Sequence, residues 1–163
     1  MHAQIAISRV DQLDLESIQP LVDENTAEGW LFLSKAVLAY QDGRNRFVKP
    51  GEALFEARFD NELIGLGGLN VDPYLNDGRI GRVRHVHVLK AFRARGVGHA
   101  LLQNIIEHAR KEFKLLTLRT SNPVADRFYR KLGFVTTPAI NNATHHLQLT
   151  DKIYLPRAAW ADD

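Results

Sequence analysis

One hundred and sixty-three residues, 45% hydrophobic and 25% charged, suit one domain with a substantial core and exclude a disordered or fibrous chain. The 21 basic residues exceed the 19 acidic ones by only two, too even a balance to mark a nucleic-acid partner. Cysteine is absent, which excludes disulfides, thiolate-held zinc or iron–sulfur centres and a thiol nucleophile.

The first residues, MHAQIAISRV, show no basic stretch followed by a long apolar one, so no secretory signal is expected. No run approaches the ~20 apolar residues of a membrane span. The expected setting is soluble and cytoplasmic, with no membrane partner. QIAISRV alternates as a first strand. LDLESIQPLVDENTAEG and WLFLSKAVLAYQDG predict two helices, the first interrupted at Pro20 and the second closed near Gly43. NRFVKPGE is a turn-rich connection. ALFEARF alternates, with Phe55, Ala57 and Phe59 on one face and Glu56 and Arg58 on the other. The turn DNE leads into LIGLGGLNV, a strand carrying Gly65, Gly67 and Gly68.

RIGRVRHVHVL predicts a fourth strand. Beyond Gly98, Leu101, Leu102, Ile105, Ile106, Ala109 and Phe113 recur at helical spacing as one apolar stripe. LLTLRT is a short strand. In SNPVADRFYRKLGF, Asn122 suits an N-cap, Pro123 a first helical position and Gly133 a stop. FVT and THHLQLT supply two last strands, and the tail past about residue 155 carries no firm signal. The order predicts an α/β chain: a central mixed sheet with helices on both faces, strands two to four as a meander and a helical crossover between the fourth and fifth. No internal repeat or linker divides it, so residues 1–163 read as a single domain.

The turn RARGVG, Arg93–Gly98, lies between the fourth strand and the long helix. Backbone N–H groups at a glycine turn opening a helix converge, and the helix start adds about half a positive charge. Glycine lets an anion approach the backbone there, and Arg93 and Arg95 bring further charge. The same residues also suit a plain tight turn. A P-loop is excluded because His99 and Ala100 follow Gly98 in place of Lys and Ser or Thr. The dinucleotide fingerprint fails too, since Leu101 stands where its third glycine belongs.

Arg93-Ala94-Arg95-Gly96-Val97-Gly98 matches the Q/R-x-x-G-x-G/A signature of the GNAT superfamily of acetyl-CoA-dependent N-acetyltransferases, and VHVLKAFRARGVGHALL resembles its surroundings. SNPVADRFYRKLGF resembles the family's second hallmark segment. The resemblance covers residues 3–150 by element order and implies the family fold, whose sheet splays after the fourth strand. It implies that Arg93, Ala94, Arg95, Gly96, Val97, Gly98 and His99 cradle the pyrophosphate of acetyl-CoA or CoA. Val86, His87 and Val88 would lie along the pantetheine, with the backbone groups of the two valines pairing it. Asn122 would contact CoA, besides capping its helix. Tyr129, which also falls on an apolar stripe, would be the general acid for the departing thiolate.

With no thiol nucleophile available, direct attack by a primary amine in a ternary complex is the expected reaction. The expected acceptor is a small molecule held by the first helices, NRFVKPGE and the C-terminal strands. A protein amine, and a CoA-sensing domain with impaired catalysis, are the alternatives. Many family members carry a glutamate on the fourth strand where this chain has Arg82 and Arg84. Arginine is no base. The two either bind a carboxylate or phosphate of the acceptor or pair with acids in the sheet. Period-two alternation places Arg82, Arg84, Val86 and Val88 on one face and His85 and His87 on the other. H-x-H offers two ligands of a metal set without an identifiable third, so no metal is assigned; histidines filling a polar gap are the other reading. The base is left open among His87, a water relayed by Glu56 or Asp72, and none at all. Of His145 and His146, alternation points one inward. A homodimer is a family-level possibility.

Overall fold

Period-two alternation becomes strand and 3.6-residue periodicity becomes helix throughout the computed structural model, which describes residues 4–156. In chain order the elements are β1 (Ile5–Arg9), α1 (Leu15–Ala27), α2 (Phe32–Gln41), β2 (Ala53–Phe59), β3 (Glu62–Val71), β4 (Ile80–Val88), a 3-10 turn (Lys90–Phe92), α3 (Val97–Arg110), β5 (Leu115–Leu118), α4 (Pro123–Lys131), β6 (Val135–Thr136) and β7 (His145–Gln148). The seven strands follow the order β1-β2-β3-β4-β5-β7-β6. β1 pairs antiparallel with β2, and β7 antiparallel with both β5 and β6. β4 and β5 are parallel, with Ile80–Arg82 in register with Leu115–Thr117. The sheet is therefore mixed, with α3 in the crossover that a parallel pair demands.

Three local features differ from expectation. Pro20 does not interrupt α1, which runs through it. Its ring faces Glu16 in the first turn on the exposed side, where water can satisfy the carbonyl that loses its donor, and Asp14 caps the start by accepting from Glu16 and Ser17 N–H. The long helix begins at Val97, before Gly98. In β4, His85 has φ +60°, a left-handed residue inside a strand, so the alternation does not carry from Arg84 across to Val86.

Packing divides the chain into two units, with β3, β4 and α3 contributing to both. The first comprises the chain up to Val48 with Ala53–Gly68 and His85–Ile106. There Ile18 and Leu21 of α1 and Leu33 of α2 bury against Leu54 and Leu66 of the strands. On the opposite face of β3, a Cβ at Gly65 or Gly67 would meet Leu101 at 3.1 Å or Ile105 at 2.8 Å, so glycine there lets α3 lie close. Helices thus cover both faces within this unit.

The second unit comprises Lys49–Glu52, Leu69–Arg84 and the chain from Glu107. Leu75, Ile80, Leu115 and Ile140 form its cluster, joined by Tyr154, whose hydroxyl donates to Asp77. A Cβ at Gly81 would stand 2.7 Å from the Phe113 ring, which explains a glycine in mid-strand. Among the described residues no helix is long and apolar enough to cross a membrane.

Candidate functional site

In the first unit the turn after β4 combines left-handed backbone with open space. Ala94 has φ +61° and Gly96 φ +81°, so successive peptide groups change direction before α3 begins. Nothing lies within 4 Å of where a Cβ of Gly96 would be. Ala100 N–H is the first to bond back, to Gly96 O, which leaves the amides of Val97, Gly98 and His99 as the unbonded donors of a helix start. Arg95 lies exposed over the Phe92 ring, 5.6 Å from its centroid, and carries the turn's available cation.

Arg93 does otherwise than its sequence position suggests. Its Nη1 donates to Glu28 Oε2 at 3.0 Å, its Nη2 to Glu28 Oε1 and to Glu24 Oε1 at 3.3 Å, and its Nε to Val88 O at 2.8 Å. The guanidinium ties the cradle to α1 instead of facing an anion, and it occupies a lone pair of the Val88 carbonyl expected to pair with pantetheine. Glu24 Oε1 also accepts from Lys90 N–H at 2.9 Å and lies 3.0 Å from His87 Nε2. Glu24 and Glu28 stand four apart on one helix face, the only trace of this network in the sequence.

The tautomer of His87 follows from its partners. Asn25 Oδ1 accepts from Leu33 N–H at 3.3 Å, so its Nδ2 points at His87 Nδ1, 3.4 Å away, as a donor. Nδ1 is then unprotonated and Nε2–H donates to Glu24. Burial pushes the imidazole pKa down, which favours this neutral form. Its Nδ1 lone pair faces an amide donor, which cannot relay a proton, so His87 is a structural link rather than a base. Glu24, Glu28 and His87 bring ligand atoms within 4.8 Å of one another, but the Arg93 guanidinium already occupies oxygens of both carboxylates. His85 helps to line a small apolar pocket and packs edge-on against Phe47. Val86 lies toward Gly67, with its Cγ2 3.7 Å from that glycine's Cβ direction.

The second unit holds the remaining candidates. Arg82 is 4% exposed and committed to neighbours in its unit: Nη1 reaches Asp72 Oδ2 at 3.2 Å, Nη2 donates to Asn142 O, and the guanidinium lies 4.7 Å over the Tyr74 ring. Asp72 is equally committed, its Oδ2 accepting from Thr117 Oγ1 and its Oδ1 from Tyr74 N–H. Neither is available to an acceptor or a water relay, and Glu56 is paired with Arg58 at 2.8 Å. Arg84 is different. It is half-buried and has no hydrogen bond or ion pair among the described residues, and burial lowers its pKa from the ordinary guanidinium value.

Asn122 caps α4, its Oδ1 accepting from Val124 N–H at 2.9 Å. Tyr129 is 8% exposed between Phe128 and Phe134, and burial drives its phenol pKa well up. Its hydroxyl makes no hydrogen bond to the described residues. His145, at 3% exposure, is the inward member of its pair. Its Nε2 lies 2.7 Å from Asp126 Oδ1 and its Nδ1 2.7 Å from Thr144 Oγ1. Sequence gives no sign of this group, because Asp126 lies nineteen residues before His145.

Residues 15–134 match the acetyltransferase (GNAT) family. Over 94 residues the chain is 30% identical to the N-alpha-acetyltransferase RimI of Mycobacterium tuberculosis, covering 53% of this chain and 54% of that one. The chain thus spans about half the length of the curated relative it matches. A candidate acetyltransferase from Exiguobacterium sp. 255-15 is similar with a TM-score of 0.79 and 30% identity, over 98% of this chain and 97% of that one. The structure of yncA, a candidate acetyltransferase from Salmonella typhimurium, with its cofactor acetyl-CoA, shares the fold at a TM-score of 0.71 and 17% identity, over 93% and 97%. The chain belongs to the acetyltransferase (GNAT) family.

Proposed function

We propose that this chain is an N-acetyltransferase that moves an acetyl group from acetyl-CoA to a primary amine by direct attack. The observation that carries this reading is the turn at Ala94–Gly96, with two left-handed residues, open space over Gly96 and unbonded amides at the start of α3. These residues fit a pyrophosphate: the first helical amides are free to donate, the helix start is electropositive, and nothing fills the space over Gly96. Acetyl-CoA in the yncA structure supports the same cofactor here. When bound, it supplies the acetyl thioester.

The chain's own residues do the rest. Val97, Gly98 and His99 donate backbone N–H groups, and Arg95 adds a cation. Asn122, with Oδ1 engaged at the helix cap, keeps its amide N–H groups for the cofactor. Tyr129 keeps its proton, since burial raises its pKa, so it serves as a hydrogen-bond donor to the developing thiolate rather than as a base. Arg84 is the cation we assign to an anionic group on the acceptor, because a half-buried guanidinium without a partner has five donors to satisfy.

Isothermal titration tests the reading. Acetyl-CoA should saturate the wild type, and Gly96→Glu should abolish binding by setting a carboxylate where the phosphates go. Absence of saturable binding by the wild type, or full binding by the variant, would sink it. The N-alpha-acetyltransferase relative favours a second reading, in which the acceptor is the α-amine of a polypeptide. Thiol release with small amines against short peptides separates the two.

A further inference from the structure

We propose that Thr144, His145 and Asp126 form a hydroxyl–imidazole–carboxylate relay that takes the proton from the acceptor amine. The inference rests on the acetyltransferase reading and supplies the base that His87, Asp72 and Glu56, all committed to other partners, do not. The polarity of the relay follows from donor chemistry. The Asp126 carboxylate only accepts, so the His145 nitrogen 2.7 Å away, Nε2, carries the hydrogen. In the neutral ring Nδ1 is then a lone pair, and Thr144 Oγ1 at 2.7 Å is its donor. Thr120 N–H occupies one lone pair of Thr144 Oγ1 at 3.0 Å, which turns the hydroxyl hydrogen toward the ring. The competing acceptor, Leu118 O, is 3.5 Å away.

The hydroxyl retains one lone pair, and Thr144 is only half-buried. An ammonium hydrogen-bonded there passes its proton to Oγ1 as the threonine's own proton moves to Nδ1. The amine becomes neutral and nucleophilic, the ring becomes imidazolium, and its charge is balanced by Asp126. Arg130 holds the other Asp126 oxygen at 3.0 Å, and the His145 bond keeps that carboxyl below the usual carboxylate range. Among the described residues these are the charged groups paired with the ring or with its carboxylate. Its strand neighbours in register, Leu118 of β5 and Thr136 of β6, do not titrate. The relay also sits beside a proposed cofactor residue, because Thr120, which bonds Thr144, accepts Asn122 N–H at 3.2 Å.

The test uses the full chain, acetyl-CoA, and three amines: glycylglycine, phenethylamine and spermidine. Thr144→Val should lower kcat about 10²-fold and flatten the acid limb of the pH profile, within the usual worth of a general base. Acetyl-CoA affinity should stay within twofold, and Thr144→Ser should restore both rate and profile. A Thr144→Val enzyme with the wild-type rate and profile would overturn the relay and leave the acetyltransferase reading standing. Because His145→Gln also cuts a link between α4 and β7, the ring is examined directly by nitrogen-15 NMR in the wild type, which needs no acceptor. The Nε2–H tautomer supports the relay, and the Nδ1–H tautomer overturns it.

Discussion

Arg93, the first residue of the cradle, holds both carboxylate oxygens of Glu28 on α1. The Glu28 carboxyl lies below its ordinary pKa chiefly because of that hydrogen bond. The pair is 40% and 32% exposed, so screening limits its worth, and the other bonds of Arg93 to Glu24 and Val88 share the work. A double-mutant cycle with Glu28→Gln and Arg93→Met should give a coupling of about 0.5–1 kcal/mol in urea unfolding. Arg93→Met should also weaken acetyl-CoA several-fold by loosening the turn, whereas Glu28→Gln should not. Equal losses of affinity in both would show that the tie does not position the cradle.

Two arginines two residues apart have opposite consequences. Arg82→Leu strands the buried Asp72 carboxylate and should destabilise the fold by about 3–5 kcal/mol. Arg84 has no partner to strand, so Arg84→Leu should leave the urea midpoint unchanged or raise it. If Arg84 reads an acceptor anion, its loss should raise KM at least tenfold for glycylglycine and leave phenethylamine unaffected. A uniform change across both amines would remove that role.

What the chain discloses in advance is the part governed by local rules. The DNE turn, the Asn122 cap with Pro123 after it, the Gly133 stop and the stripe of α3 all follow from nearest-neighbour chemistry. The shape of the Arg93–Gly98 turn is legible because it is set by backbone, by glycine and a helix start, rather than by a distant partner. The β4 faces were not, since one left-handed residue, His85, shifts the alternation and nothing in VRHVHV marks it. For Arg82 the residues leave two readings open, an acceptor anion or an acid of the sheet, and the fates of Arg93 and His145 are hidden, because each is decided by a partner distant in sequence: Asp72, Glu28 and Asp126. Tertiary pairing, not residue type, separates the arginine that braces from the one left over.

His87 gives a pH signature of stability. Burial holds its pKa below the ordinary 6.5, so the folded ring binds a proton less readily than the unfolded one. Between those two values unfolding takes up a proton, and stability therefore falls as pH drops below about 6.5. His146, also lowered by burial, adds a loss of the same sign. Glu28 adds another only below its ordinary 4.5, when the carboxylate bonded to Arg93 is protonated. Tm should hold between pH 8 and 7 and then decline toward pH 5. His87→Gln should be less steep by about 2–4 °C over that range. Identical slopes would mean that His87 binds its proton in the fold as readily as in the unfolded chain.

Tyr129 separates catalysis from packing. Its ring is buried between Phe128 and Phe134, while its hydroxyl bonds to none of the described residues. Tyr129→Phe therefore keeps the packing and leaves no donor or acceptor stranded, so the unfolding free energy in urea should change by less than about 1 kcal/mol. On the proposed role the group acts when a thiolate develops beside it, so the loss should fall on kcat, about 10–10²-fold, with acetyl-CoA affinity unchanged. Since the phenol keeps its proton well above neutrality, the wild-type rate should show no alkaline limb from this group below about pH 10. The sharpest check varies the leaving group: a thioester with a more acidic thiol needs less help, so the penalty of Tyr129→Phe should shrink. A penalty that is constant across thiols would assign Tyr129 to the core alone.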